Sequence, residues 1–490
     1  MPRGNRRGQQ TEDEKKDRRH GAKSRFNRRR NQAWERRQQG FRRRRYGDKV
    51  MREPSVKVAA TWEHIQQMQL PDLTKMRAPI PVVEDVVMCG KLGFYDHDYD
   101  KIDVRRNKVL KQHTKRFYTE TTTDDPIIAR LAQTRAGNIF ATDVILAHLM
   151  ASPRSVYPWD IVIERKDTKT GKFLFFDKRE EQLEFLTVSE TAYEPPAADD
   201  PDSINHPDLL AKEATYIQQM FTQQILKSPE NAPLKEFRIP NPFVDEDDEE
   251  EDVALTAYRY RKFKLAEGNT LVVRCELHGV MHSKEQQEVI KKAEAKNKRL
   301  IAKGKKPKKI EIPEGSTYMT AFALNEWQPT SLSSGWRHKL DSQRGAVLAA
   351  ELKDNSCKLA KWTAQTLLAG ADAMKLGYVS RMSPYDRKKH LVLGTQFYKP
   401  HEFARQINLS ETNMWGIFDH LTKILLAQPA GKFVLTKDPN KQILQLYRVP
   451  DDTFEQEGSD SDSSSDSGSD SGSGSGSDSD DDGEGAAASK

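Results

Sequence analysis

The sequence predicts a mixed α+β fold, β-sheets packed with helices, held between two tails that do not fold by themselves. Three observations predict it. Strand-like and helix-like segments alternate irregularly between about residues 62 and 450, and several strands are joined as hairpins. No glycine fingerprint or Walker loop opens a strand–helix unit, which argues against a doubly wound parallel sheet. Charge is segregated to the ends: residues 1–50 hold 19 Lys and Arg against 6 Asp and Glu, whereas residues 451–490 hold 13 acidic residues and one Lys. The formal net charge of +6 over 490 residues is therefore a cancellation.

Residues 1–52 are an arm of Arg, Gln, Asn and Gly that cannot bury enough apolar surface to offset its chain entropy. Its arginines suit RNA phosphates, and Phe26, Trp34, Phe41 and Tyr46, spaced among them, suit stacking on unpaired bases. The plain alternative is a solvated tail or an import signal. Residues 53–450 form the core. Ile80–Met88 reads as a strand, and Pro126–Arg135 and Ile139–Ala151 read as helices, the second with Thr142 and Asp143 near its start. Trp159–Glu164 and Phe173–Phe176 make a hairpin closed by a turn ending at Gly171; residues 192–208 are a loop, and Leu209–Leu226 is a helix. The eight acids at 245–252 are an exposed insertion. Alternation at Tyr258–Lys264 and the apolar run Leu271–Leu277 predict paired strands, and 284–310 is a lysine-rich insertion, a helix fraying into a loop. Helices at Cys357–Leu368 and Glu411–Leu426 and the hairpin Phe433–Leu435/Ile443–Val449 close the core. Residues 451–490 are a disordered acidic Ser/Asp tail whose Ser459, Ser461 and Ser465 precede Asp, as an acidophilic kinase prefers.

Cys89, Cys275 and Cys357 are far apart and show no metal spacing, so buried thiols in a reducing compartment are expected. No apolar run approaches a membrane span, and the expected compartment is the cytoplasm. Zinc-protease and nucleophile-elbow motifs are absent. One constellation stands out. Glu276 and His278 end one strand, Glu351 and Lys353 follow the run Gly345–Ala350 read as a second, and Gln396 follows Leu391–Leu393 as a third. Three strand ends carrying Glu/His, Glu/Lys and Gln are reminiscent of a nuclease that clamps a divalent metal at a scissile phosphate. A hard cation wants several carboxylates, and His278 stands where an acid is expected; a polar sheet edge with ordinary salt bridges is the better reading. No cofactor and no metal are expected.

The stretches "YTETTTDDPIIARLAQTRAGNIFATDVILAHLM" (118–150), "SVYPWDIVIERK" (155–166), "LFFDKR" (174–179), "LTVSETAYEPP" (186–196), "KLDSQRGAV" (339–347), "ELKDNS" (351–356) and "FARQINLSE" (403–411) closely resemble the D-subunit family of eukaryotic translation initiation factor 3. The resemblance runs from about Val56 to Pro450. It implies a fold similar to the decapping exonucleases, with Glu276, His278, Glu351, Lys353 and Gln396 as the vestige of their metal site. It also implies a module that binds the mRNA cap without being an enzyme. A 7-methylguanine is cationic, so an aromatic face or a carboxylate favours it over guanine.

By the same resemblance, cap contacts fall on Asp143, Val156, Tyr157 and Thr215, with Gln218 and Gln219 on that surface where the family usually carries Asn and His. On the residues alone, Val156 and Tyr157 read as packing near Trp159, and Asp143 as a helix cap. The resemblance further implies an RNA gate over Gln182, Leu183, Glu184, Phe185, Leu186, Thr187, Val188, Ser189, Glu190, Thr191, Ala192, Tyr193, Glu194, Pro195 and Pro196, whose acids would repel phosphate. The implied partners are the 5′ cap and 5′ untranslated region of mRNA, the other subunits of the factor and the small ribosomal subunit, with no membrane. Family members usually carry a longer docking segment upstream of the basic arm; here docking is expected to differ, or the chain to be shortened. The expected function is cap-dependent initiation on a subset of mRNAs. Two other readings stay open: a metal-dependent 5′-end decapping nuclease, and a scaffold that touches RNA only through its arm.

Overall fold

Two mixed sheets, bridged by a helix buried along most of its length, place the site. The computed structural model describes residues 52–169, 171–179, 204–229, 232–244, 252–304, 306, 315, 317–326 and 335–454. The basic arm up to residue 51, the acids 245–251, the gate 182–196 and the tail from 455 lie outside these described residues. The chain divides into a unit up to Asp451 and another from Asp452; every element below belongs to the first.

In chain order the strands are β1 (Glu63–Gln69), β2 (Val82–Leu92), β3 (Lys108–Val109), β4 (Ile139–Thr142), β5 (Asp160–Thr168), β6 (Gly171–Asp177), β7 (Lys235–Glu236) and β8 (Ala257–Lys264). They continue as β9 (Thr270–Leu277), β10 (Gly279–Met281), β11 (Thr317–Glu326), β12 (Ala373–Arg381), β13 (His390–Tyr398), β14 (Gly431–Lys437) and β15 (Ile443–Val449). One sheet has ten strands in the order β1-β15-β14-β5-β6-β4-β9-β8-β2-β7, and the other five in the order β10-β11-β12-β13-β3. β4 runs parallel to both neighbours, and β11 is parallel to β12, so the α+β expectation holds as a mixed sheet architecture. The expected hairpin β5–β6 and the pairing β8–β9 are present, the latter with Tyr258 opposite Glu276.

The helices that bear on the site are α1 (Pro126–Gln133), α2 (Asp143–Met150), α3 (Pro207–Gln224), α4 (Lys284–Ile301), α5 (Arg344–Asp354), α6 (Ser356–Ala369) and α7 (Glu411–Ala427). α1 starts where Asp125 accepts from the N–H groups of Ile127 and Ile128, with Pro126 in the first turn. α6 is buried almost all round and ends at Gly370, whose φ of 58° is the left-handed stop that glycine takes without steric cost. It contacts β9 of the larger sheet and β11 and β12 of the smaller, and packs on α2. Leu359, Trp362 and Leu368 are buried on it, and each such side chain stabilises by about 1.5–3 kcal/mol. Cys89, Cys275 and Cys357 are buried thiols.

Three sequence expectations fail here. Ile139–Ala151 is not one helix: Ile139–Thr142 is the buried strand β4, and the helix starts at Asp143, where Thr142 Oγ1 accepts from the Ile145 N–H at 3.4 Å. An unbroken apolar run hides the change, because neither period shows when all faces are buried. The run Gly345–Ala350 is not a strand but, with Glu351 and Lys353 after it, part of helix α5. Glu351 and Lys353, two apart, therefore point in different directions rather than to one side. Gln396 is also not at a strand end, since β13 continues to Tyr398.

Candidate functional site

A cavity of about 250 Å³ opens where α2, α3 and α6 meet the end of β9, the middle of β11 and the irregular stretch 116–119. Each wall follows from helical spacing. α3 turns Thr215, Gln218, Gln219 and Thr222 toward it, α2 turns Val144 and His148, and α6 turns Lys361, Trp362 and Gln365. Glu276 is the penultimate residue of β9, and His278 follows the strand's last residue, Leu277. Phe117, Tyr118, Tyr258, Phe322 and Trp362 give the lining its aromatic character.

The aromatic wall is rigid. Phe322 and Trp362 stack with centroids 4.9 Å apart and planes 10° off parallel. Tyr258 meets Phe243 edge-on at 5.0 Å, and the Arg274 guanidinium lies over Phe243 at 5.0 Å. Burial pushes the Tyr258 phenol well above its ordinary value, so its hydroxyl stays protonated.

The polar groups are held by a chain of bonds. Lys361, 5% exposed, places its ammonium 3.2 Å from Nε2 of His148, whose Nδ1 is 3.3 Å from the Val144 carbonyl. Those partners assign the His148 proton to Nδ1, so that Nε2 accepts from the lysine. Nδ1 of His278 accepts from the Ala321 N–H at 2.9 Å, which leaves Nε2 facing the Glu276 carboxylate at 3.7 Å. The Glu276 N–H donates to Oδ2 of Asp143 at 3.0 Å. One carboxylate and the cations Lys361 and Arg116 thus border an aromatic cavity. That set suits a planar, cationic base carrying phosphates.

The structure brings together some of the expected residues and separates others. Thr215, Gln218, Gln219, Glu276 and His278 line the cavity. Asp143 is buried behind it and steadies Glu276, while the cap of α2 is Thr142. Val156 and Tyr157 do not line it; the Arg52 guanidinium lies over the Tyr157 ring at 5.0 Å. Their segment reaches the cavity through Trp159, bonded to Ser155 Oγ at 2.8 Å and set edge-on to His148 at 6.3 Å. Glu351, Lys353 and Gln396 line no part of it. Glu351 accepts from the Asn355 amide at 2.7 Å, and Gln396 from the Tyr378 hydroxyl at 3.3 Å. Among the described residues, no three His, Cys, Asp or Glu side chains gather where they could hold a metal ion. Nor is any described helix long and apolar enough to cross a membrane.

Sequence reading missed Lys361, His148, Trp362, Phe117 and Tyr118. The signal for the lysine is its place in Lys358-Leu-Ala-Lys-Trp362, where a solvated helix would not put two lysines among core residues. Phe117 and Tyr118 belong to no periodic element and carry no such signal.

A family model described as eukaryotic translation initiation factor 3 subunit 7 matches residues 2–448. The D-1 subunit of the same factor from Drosophila yakuba is 47% identical over 415 residues, covering 84% of this chain and 68% of the relative. The D subunit from Bombyx mori is 48% identical over 415 residues, covering 84% and 69%. Among solved structures, Scheffersomyces stipitis Rai1 in complex with (3'-NADP)+ and calcium ion aligns with 80% of this chain and 95% of its own, at 12% identity and a TM-score of 0.46. That last likeness is too loose to carry a statement about this chain. The match over residues 2–448, together with nearly half of the aligned positions identical to the insect D subunits, makes this chain a member of the eukaryotic translation initiation factor 3 subunit 7 family.

Proposed function

We propose that this member of a translation initiation factor family is its cap-recognising, RNA-binding subunit, acting in the cytoplasm and promoting initiation on a subset of mRNAs. The observation that carries the reading is the cavity itself: five aromatic rings, the Glu276 carboxylate and two cations around a space near the lower end of ligand-pocket volumes. A methylated guanine is a cation with donors on its Watson–Crick edge. Aromatic faces and a carboxylate favour it, and Lys361 and Arg116 suit the phosphates that follow. Thr215 is the cap position shared by the resemblance and the cavity; Asp143 acts by holding Glu276, and Tyr157, in the same segment as Val156, accepts at its carbonyl from Ser155 Oγ, which holds Trp159 against His148.

The same proposal keeps residues 182–196 as the segment that limits RNA access, and the other subunits, the small ribosomal subunit and the mRNA 5′ end as partners. It assigns no reaction to the chain. A two-metal nuclease needs several carboxylates around its ions; Glu276 stands beside a histidine, and Glu351, on α5, is bonded to Asn355 just past the helix.

The test is equilibrium binding of the assembled factor to one RNA with and without its cap. Preferential binding of the capped form, competed by free cap nucleotide and weakened by Thr215→Glu, is expected. Equal affinity for both RNAs rejects the reading. RNA turnover supported by magnesium or manganese would favour the nuclease instead.

A further inference from the structure

The connection between β12 and β13, residues 382–389, reads Met-Ser-Pro-Tyr-Asp-Arg-Lys-Lys and is held by hydrogen bonds. Pro384 occupies the second position of a turn closed by the Asp386 N–H donating to the Ser383 carbonyl at 3.1 Å. The Asp386 carboxylate accepts from the Lys388 N–H at 2.8 Å, and the Gln112 amide donates to the Lys388 carbonyl at 2.9 Å. At its base, buried Arg381 donates from Nε to Glu213 at 2.8 Å, and Nε2 of His390 lies 2.7 Å from the same carboxylate.

This rigid turn holds a tyrosine out in water. Tyr385 is 89% exposed, and Arg387, Lys388 and Lys389 beside it are exposed as well. Among the described residues, no carboxylate pairs with these three cations. A bare ring on a pre-ordered turn has little to do in folding. It does have what an unpaired base needs, a free aromatic face at low ordering cost, with cations placed for the phosphates on either side.

We propose that residues 382–389 form a contact for single-stranded RNA, in which Tyr385 stacks on a base and Arg387, Lys388 and Lys389 neutralise adjacent phosphates. Duplex RNA offers no unstacked face to such a ring, so the single strand is the fitting occupant. The contact uses no cavity residue and stands whether or not the cavity takes a cap. α3 nonetheless joins the two: Glu213 anchors the loop, while Thr215 and Gln219 line the cavity, and Tyr216, 60% exposed, lies on the helix face between them. An RNA seated in the cavity would leave across this helix toward the loop.

The experiment uses the full chain and an uncapped single-stranded RNA carrying photoactivatable uridine, so that cap recognition plays no part. Crosslinks to residues 382–389 are expected. Tyr385→Ala should weaken binding by about tenfold, and Tyr385→Phe should retain affinity. Replacing Arg387, Lys388 and Lys389 by alanine should lower the slope of log affinity against log salt by about 2. Native affinity in Tyr385→Ala with no crosslink in the loop overturns the proposal. So does a Phe variant as weak as the Ala variant, which would show that no ring stacks. Variants that bind RNA normally but fail to join the assembled factor would make the loop a protein contact, also against it.

Discussion

The side-chain oxygen of Gln218 accepts from the Ala323 N–H at 2.8 Å, while its amide nitrogen donates to the Ala321 carbonyl at 2.8 Å. Pairing between β10 and β11 ends at Met319, and from there the side chains of His278 and Gln218 continue the edge of β11. A glutamine that closes a strand edge acts on stability before it acts on any ligand. Gln218→Ala leaves a backbone donor and acceptor of β11 unpaired, at about 1–3 kcal/mol. A lower denaturation midpoint and faster amide exchange at Ala323 are expected, whereas Gln219→Ala should leave both unchanged. Equal shifts in the two variants would contradict the assignment.

Gly377 of β12 lets α3 approach. A Cβ there would stand 2.4 Å from the ring of Phe221, itself fully buried on α3. Gly377→Ala must push the helix away, at about 1–3 kcal/mol. Because α3 carries Thr215 and Gln219, capped-RNA binding should weaken together with stability. Adding Phe221→Leu makes room and should recover part of the loss, a non-additivity measurable in a double-mutant cycle by denaturant unfolding. Strict additivity would show that the ring is not what the new methyl meets.

Among the described residues, Glu276 is the one carboxylate in the cavity lining, so it should discriminate a cationic base from a neutral one. Glu276→Gln keeps the shape and one acceptor but removes the charge. The preference for capped over uncapped RNA should fall about tenfold, as for a lost hydrogen bond to a charged partner. Affinity for uncapped RNA should be untouched. A variant that loses both equally would mark Glu276 as structural.

Elements with a clean period and a turn at each end were legible. The alternating Tyr258–Lys264 and the apolar run Leu271–Leu277 pair as expected, and Ser410 caps α7 one residue before the expected start. What failed was the boundary inside a fully buried run, as at Thr142, where a strand passes into a helix without a polar signal. Helix α5 fails for a related reason, since its short Ala-rich run shows neither period and reads equally well as a strand. Glu276 could be named from its place at the end of an apolar run, and Thr215 only through the family resemblance. The cavity could not, because it joins residues from 116 to 365 whose proximity depends on sheet order. Lys361 shows the point: its ammonium meets His148 from a helix 213 residues away.

Glu351, removed from the cavity and placed on α5, has a consequence of its own. Burial pushes its carboxyl up to about 7, against the opposing pull of Lys358 and the Asn355 hydrogen bond. Between the ordinary glutamate value and that figure, the folded protein holds a proton that the unfolded chain has released. Stability from this group is therefore complete at low pH and falls as pH rises toward 7, with no further change above it. Glu351→Gln keeps the bond to Asn355 and cannot ionise. The stability difference between variant and native protein should shift in the variant's favour from pH 5 to pH 7, by on the order of 2 kcal/mol, and then level off. Any constant penalty from leaving Lys358 without its carboxylate offsets the two curves but does not tilt them. Unfolding free energies measured across that range test the point, since parallel curves would mean that Glu351 ionises in the folded protein as it does in the unfolded chain.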